Sequence, residues 1–212
     1  TEGDGSAGIA LWDGQALQPL GQGLGGDVDQ VAVSPDGEVF AIGAALTLDG
    51  ERVQGVAAFD GAAWSRKGTA ITGVLNDLAW YDGQLLVAGS FARVTDADGN
   101  VPSDAPFESL LTWDGTSWSR FAELEHELGY TFVERLVPWE DGLYLTGLFD
   151  HVDGAPAHGL AWFDGAAYHD LGGGVDDLAL DVAPAPDAVW VAGAFRLAGD
   201  TPSHGVARWD LE

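Results

Sequence analysis

Cysteine and methionine are both absent from this sequence of 212 residues, and lysine occurs once, at Lys67. Without cysteine the chain has no disulfides, no thiolate chemistry and no cysteine-ligated zinc site. Only 8 basic residues oppose 34 acidic ones, which gives a formal net charge of −26. Such a surface repels nucleic acid and anionic lipid, since both are bound through Lys and Arg. The excess of carboxylates indicates high solubility, life in high salt, or binding of divalent cations.

Long apolar runs are also missing, and none reaches the length of a membrane-spanning segment. Hydrophobic residues still make up 46% of the chain, which is typical of a globular protein. Residues 1–7 predict a flexible linker, and residues 8–212 predict one domain. The chain begins at Thr1 without methionine, so we expect the mature part of a secreted protein or a segment of a larger one. The expected location is extracellular, at the cell surface, or periplasmic.

Two motifs recur in phase, at intervals of about fifty residues. The first reads Gly-x-Ala-x-Trp/Phe-Asp-Gly and occurs, with local changes, at 8–14, 55–61, 109–115, 159–165 and 205–210. The second reads apolar-x-Gly-x-Phe and occurs at 87–91, 145–149 and 191–195, with a degenerate copy at 42–45. Two motifs that repeat together indicate a repeat architecture.

Each repeat predicts four short strands. In the second repeat these are 75–81, 84–91, 109–113 and 116–121, with Asp-Gly turns after the first and the third. Asp-Gly between two strand-like runs is a strong hairpin signal. The glycine inside the second strand predicts close approach of a neighbouring strand. Only residues 123–128 suggest a helical turn.

This pattern predicts an all-β fold, a β-propeller of four-stranded antiparallel blades. Four blades fit the complete repeats best, with the ring closed by the N-terminal and C-terminal strands. A fifth, incomplete blade and a fragment of a larger ring are the alternatives, because five copies of the third strand are present. The short Asp-Gly turns should lie on one side of the disc. The longer connections should lie on the other, where we expect the functional sites.

The sequences at 113–118 (Trp-Asp-Gly-Thr-Ser-Trp) and 87–91 (Val-Ala-Gly-Ser-Phe) carry a likeness to a known family. They resemble the kelch-like repeats of bacterial secreted and surface proteins, and are similar to those of fungal cortical-marker proteins. The resemblance covers nearly the whole chain. It implies a propeller exposed outside the cytoplasm, and it implies no single activity.

The best predicted metal site is the loop at 96–104. Its oxygen-bearing side chains follow the spacing of a calcium loop, although Val101 stands where such loops carry glycine. Calcium is therefore the candidate cofactor, and the alternative is a solvated loop held by its own side chains. The predicted ligands are Asp96, Asp98, Asn100 and Asp104.

A second candidate site comprises histidines on the connection side. His158 and His204 precede equivalent third strands, and His151 lies close to Asp153 in a connection. Such groups bind a metal or a polar ligand, or simply hydrogen-bond the backbone. Two aromatic residues outside the repeat, Phe107 and Tyr130, extend this ligand-binding prediction. The repeated Trp residues are predicted to be core.

Catalytic motifs are lacking: the sequence has no Gly-x-Ser-x-Gly elbow, no P-loop and no His-Glu-x-x-His. We therefore expect a non-catalytic binding or structural module with a protein or glycan partner at the cell surface. A carbohydrate-binding, lectin-like propeller is the first alternative. A glycan-active hydrolase or lyase is the second, because 34 carboxylates allow many acidic pairs.

Overall fold

The chain folds as an all-β protein in a computed structural model that describes residues 8–93 and 108–211. The described residues form strands and turns, with no helix among them. The all-β prediction is therefore confirmed. The predicted linker, residues 1–7, and the predicted calcium loop lie outside the described residues.

The strands are short and numerous, as the frequent turn signals predict. In chain order they are β1 (Ala10–Trp12), β2 (Leu17–Pro19), β3 (Gln30–Val33), β4 (Val39–Ile42), β5 (Thr47–Leu48), β6 (Glu51–Arg52), β7 (Val56–Phe59), β8 (Trp64–Lys67), β9 (Ile71–Tyr81), β10 (Gln84–Arg93), β11 (Glu108–Trp113), β12 (Trp118–Arg120), β13 (Leu124–Glu125), β14 (Phe132–Trp139), β15 (Gly142–Leu148), β16 (His151–Val152), β17 (Ala155–Pro156), β18 (Leu160–Phe163), β19 (Tyr168–Asp170), β20 (Ala179–Ala185), β21 (Ala188–Gly193), β22 (Leu197–Ala198), β23 (Thr201–Pro202) and β24 (Val206–Asp210).

Four antiparallel sheets carry the repeat. Sheet 1 is β3-β4-β7-β8, sheet 2 is β9-β10-β11-β12, sheet 3 is β14-β15-β18-β19 and sheet 4 is β20-β21-β24. The first strands meet in succession, since β3 contacts β9, β9 contacts β14 and β14 contacts β20. The separate hairpin β1-β2 precedes sheet 1. The sheets therefore follow one another in space in the order of the sequence.

The repeated glycine of the second strand is needed for backbone packing. A Cβ at Gly89 would lie 2.1 Å from the carbonyl oxygen of Val74, and one at Gly147 would lie 2.2 Å from that of Phe132. The first strand shifts register beside this glycine in sheets 2, 3 and 4, so a bulge brings its backbone close. The close approach predicted from the sequence is confirmed here.

Hydrophobic side chains fill the space between neighbouring sheets, and each junction has its own cluster. The aromatic residue of the second motif is fully buried, as Phe91, Phe149 and Phe195 show. Indole groups add hydrogen bonds between successive units: the Nε1–H of Trp64 donates to Leu20 O (2.8 Å), and that of Trp118 donates to Lys67 O (3.1 Å). These contacts fix sheet 1 against the segment that follows β2, and sheet 2 against the last strand of sheet 1.

The second-to-third connections of sheets 1, 3 and 4 contain small hairpins that the sequence did not predict: β5-β6, β16-β17 and β22-β23. β13, from the link between sheets 2 and 3, joins β16-β17 as a third strand. The suggested helical turn at 123–128 is wrong. Leu124 and Glu125 form β13, which pairs with β16, and the N–H groups of Glu123 and Glu127 bond carboxylates of the facing connection. Tertiary hydrogen bonds therefore override the local sequence preference.

Candidate functional site

Each sheet has two different ends. At the turn end, tight turns join the first strand to the second and, in sheets 1 to 3, the third to the fourth. At the connection end lie the second-to-third connections and the links between sheets. The turn end is fixed by aspartates: Asp114 Oδ1 accepts the N–H groups of Thr116 and Ser117, both at 2.8 Å, and these bonds lower the pKa of Asp114 to about 2. Candidate binding groups lie at both ends.

The 3–4 connection cleft lies between sheets 3 and 4 at the connection end and has a volume of about 210 Å³. His158 lines it, as the sequence analysis proposed, together with His126, Glu127, Asp150, Asp176 and Asp177. Carboxylates outnumber the histidines, so the lining suits a cationic or hydrogen-bonding group. Sequence reasoning missed His126 and Asp176, because neither lies at a repeated position.

His126 and Asp150 lie opposite each other in this cleft, with 3.8 Å between His126 Nε2 and Asp150 Oδ1. The Leu128 N–H donates to His126 Nδ1 (3.1 Å), which leaves the other ring nitrogen to carry the proton in the neutral imidazole. Asp150 Oδ2 accepts the Glu127 N–H (2.7 Å). Both side chains are therefore held in place by backbone groups.

An equivalent cleft, the 1–2 connection cleft, lies between sheets 1 and 2 and has a volume of about 260 Å³. Gln54 stands there where His158 stands in the other cleft, since each precedes the glycine that begins the third-strand motif. Asp29 and Arg52 add charges of both signs, and both bond the backbone of Ala44. The same position in the repeat thus presents different chemistry at two junctions.

The remaining predicted histidine, aromatic and acidic residues do not gather in one place. Asp153 Oδ1 accepts the Glu123 N–H (2.8 Å), which gives this carboxylate a role in holding a connection. His151 lies in β16, beside that contact. Tyr130 is exposed, with its ring centroid 6.2 Å from that of His126. His204 is exposed at the start of the third strand of sheet 4.

Two parts of the prediction fall on residues outside the described ranges. These are the calcium ligands Asp96, Asp98, Asn100 and Asp104, and the aromatic residue Phe107. Within 8–93 and 108–211, no group of three or more His, Asp or Glu side chains is placed to hold a metal ion. Over the same ranges, no helix is long and apolar enough to cross a membrane.

A third cleft, the aromatic cleft, lies between sheets 1 and 2 at the turn end and has a volume of about 410 Å³. Its walls are aromatic, and Lys67 and Glu38 form an ion pair inside it with 2.6 Å between Nζ and Oε1. The repeat pattern predicts a core position for Trp113 and functional groups at the other end. The missed signal is Lys67, the only lysine in the chain.

The first strands carry a polar cluster between sheets 2 and 3. Asp77 is 6% exposed, and its two carboxylate oxygens accept the N–H groups of Leu78 and Leu136, each at 2.9 Å. Burial raises the pKa of Asp77, and these two hydrogen bonds oppose the effect of burial. Arg135 approaches Asp77 at 3.7 Å and Asp181 at 3.9 Å. Asp77 therefore joins two sheets through backbone hydrogen bonds.

No protein-family model matches the chain, and no curated protein matches it at a significant level.

Proposed function

We propose that the four sheets are successive blades of a kelch-like β-propeller, and that the chain is a non-catalytic binding module that acts through its connection end. The first strands follow one another from β3 to β20, and each junction buries its own apolar cluster, as the centre of a ring of blades requires. Four blades fit the number of sheets, with a fifth blade or a larger ring as alternatives. Among the described residues β1 and β2 pair only with each other and sheet 4 ends at β24, so the predicted closure by the terminal strands is not seen there.

The observation that carries the proposed function is the pair of connection clefts. They occupy equivalent junctions, but one presents Gln54 with Asp29 and Arg52, whereas the other presents His158 with His126 and carboxylates. Variable side chains on a repeated scaffold are typical of recognition surfaces. A purely structural role would not require different polar linings at equivalent positions.

The charge of the chain limits its partners. With a net charge of −26, the surface attracts cationic groups and repels nucleic acid. We propose a protein or glycan partner outside the cytoplasm, at a cell surface. A protein partner would offer basic side chains to the carboxylates of the 3–4 connection cleft.

A catalytic role on glycans would require a carboxylate that reaches a substrate. Asp77 has the raised pKa that a general acid needs, but both of its oxygens accept backbone N–H groups. This arrangement supports a structural role for Asp77 and favours binding without turnover.

A binding panel with two filled clefts tests the proposal. Biolayer interferometry compares wild type with two variants that fill the clefts, Gln54→Trp and His158→Trp. The control is Ala166→Trp, which adds bulk at a turn of sheet 3. The panel comprises immobilised cell-surface glycans and basic peptides, and mass spectrometry of the recovered ligands detects turnover. The proposal predicts a bound, chemically unchanged ligand that is lost in at least one cleft variant and retained in the control. No bound ligand, equal binding by all four proteins, or product formation would each contradict it.

Calcium binding by the loop at 96–104 is a separate proposal that rests on the sequence. A calcium titration should raise the melting temperature of wild type and leave that of Asp98→Ala unchanged. An unchanged wild-type melting temperature would contradict the proposal.

A further inference from the structure

The aromatic cleft between sheets 1 and 2 differs in character from the two connection clefts. Its volume of about 410 Å³ falls in the range of small-molecule sites. Its lining side chains are Glu38, Phe40, Lys67, Trp80, Gln84 and Trp113. Aromatic walls with a few polar groups are the usual composition of a pocket that orients a small ligand.

Two neighbouring sheets build the aromatic walls. Phe40 of sheet 1 stacks on Trp80 of sheet 2, with a centroid distance of 5.8 Å and an interplanar angle of 11°. Trp113 is partly exposed and packs at 5.2 Å against Trp118, which fixes the indole. Aromatic ring faces of this kind offer large, rigid, apolar contact area, and the C–H groups on one face of a pyranose ring match such a surface.

The polar groups of the cleft include both donors and acceptors. Lys67 Nζ lies 2.6 Å from Glu38 Oε1 and 5.1 Å from the Phe40 centroid, so the ion pair is held against the aromatic wall. Gln84 Oε1 accepts the Thr112 hydroxyl (2.7 Å), and its amide nitrogen still provides two hydrogens for donation. Sugar hydroxyls both donate and accept hydrogen bonds, so they can bond to the donors and to the acceptors of this cleft.

The charges in and around the cleft disfavour an anionic ligand. Glu38 and Lys67 neutralise each other, whereas Asp114 at the rim keeps its negative charge, although its oxygens accept hydrogen bonds from the N–H and hydroxyl groups of Thr116 and Ser117. The net charge of −26 on the whole chain disfavours an anion. A neutral polyol avoids both the repulsion and the need for a counter-charge.

The next junction shows that packing between sheets does not require this cleft. Phe121 occupies in sheet 2 the place that Lys67 occupies in sheet 1, three residues after the aromatic that begins the fourth strand. Its ring packs at 5.7 Å against Phe163, which in turn lies 6.2 Å from Tyr81. Replacing such an apolar contact by a partly buried ion pair rarely adds stability. The ion pair of Lys67 and Glu38 at the first junction is therefore better explained by a role in ligand binding than by stability.

We propose that the aromatic cleft binds a pyranose ring of a neutral saccharide, with the ring face on Trp80 and Trp113 and the hydroxyls bonded to Lys67, Glu38 and Gln84. This site lies at the turn end, so it goes beyond the proposed function, which uses the connection end.

Isothermal titration calorimetry with glucose, galactose, mannose, N-acetylglucosamine, cellobiose and maltose tests the site. We expect at least one of these sugars to bind with a dissociation constant of about 1 mM or tighter. Gln84→Ala and Trp80→Phe should each weaken that binding about fivefold or more, since each removes one contact of the ring or its hydroxyls. Trp190→Ala, which removes an exposed Trp of sheet 4, should bind as wild type does.

A charged sugar and a connection-end variant provide two further tests of the proposed site. Glucuronate should bind more weakly than glucose, because Asp114 at the rim and the net charge of the chain repel an anion. The proposal is overturned if no neutral sugar binds, if glucuronate binds more tightly than glucose, or if Gln84→Ala and Trp80→Phe both bind as wild type does. Sugar binding that is lost in Gln54→Trp but kept in Trp80→Phe would place the sugar at the connection end and overturn only this inference.

Discussion

Tyr144 and Trp190 occupy the same place in neighbouring sheets, three residues before the glycine of the second strand, but only Tyr144 is covered. Tyr144 is 3% exposed and packs in the cluster between sheets 3 and 4, whereas Trp190 is 47% exposed on the far side of sheet 4. Phe40 and Leu86, the equivalent residues of sheets 1 and 2, are also buried. This position therefore faces the next sheet wherever a next sheet is present.

The pair gives a matched test of packing between sheets. Tyr144→Ala should lower the free energy of unfolding by about 3 kcal/mol or more, because it leaves a cavity between sheets 3 and 4. Trp190→Ala should cost less than about 1 kcal/mol, because the ring already contacts solvent. Urea denaturation followed by circular dichroism measures both values. Equal losses for the two variants would contradict the arrangement of the sheets.

Asp77 provides a second test, directed at the contact between first strands. Asp77→Ala should cost about 2 kcal/mol or more, because the buried N–H groups of Leu78 and Leu136 lose their acceptors. Asp181→Ala is the control: Asp181 holds the equivalent place in sheet 4, is exposed, and accepts the N–H of its neighbour Val182, with Arg135 at 3.9 Å. The same denaturation measurement applies. A larger loss for Asp181→Ala than for Asp77→Ala would refute the bridging role.

The turn aspartates predict a component of acid sensitivity. Hydrogen bonds from Ser117 and Thr116 lower the pKa of Asp114 from 3.8 to about 2 in the folded state. A lowered pKa stabilises the fold above the unfolded value, and this contribution is lost as the pH falls from about 4 to about 2. Asn at this position keeps one acceptor but does not titrate. The difference in melting temperature between wild type and Asp114→Asn should therefore shrink over this interval, and a constant difference would contradict the assignment.

The acidic surface predicts stabilisation by salt. Raising NaCl from about 0.05 M to about 1 M shortens the screening length to about 3 Å and weakens repulsion among the carboxylates. The melting temperature of wild type should rise over this range. A variant that combines Asp49→Asn, Asp141→Asn and Asp200→Asn, all at exposed positions, should show a smaller rise. A melting temperature that is flat or falls with salt would argue against the halophilic interpretation.

Strand positions could be predicted well where turns and repeated motifs coincide. The predicted strand at 84–91 is observed as Gln84–Arg93, and the predicted strand at 109–113 as Glu108–Trp113. The predicted fourth strand at 116–121 is shorter in the structure, where it begins two residues later as Trp118–Arg120. The cause is local: Asp114 holds the N–H groups of Thr116 and Ser117 in the turn, so neither pairs with the third strand.

The sites were harder to predict, because they depend on which sheets meet. The aromatic cleft combines Lys67 from the end of sheet 1 with Trp80 and Trp113 from sheet 2, and the repeat pattern alone assigned Trp113 to the core. The 3–4 connection cleft combines His126 with Asp150 and His158 through a small sheet that has no signal in the sequence. Only His158 was found, because it lies at a repeated position.

The most direct test of the proposed function is hydrogen–deuterium exchange of the whole chain with and without the tightest ligand of the binding panel. Binding at the connection end predicts slower exchange in segments 43–44, 52–55 and 71–75 of one connection cleft, or 126–128, 147–150, 158–159 and 175–177 of the other. Segments 82–84 and 114–116 at the turn end should be unaffected by that ligand. Protection confined to the turn end, or no protection at either end, would contradict the account.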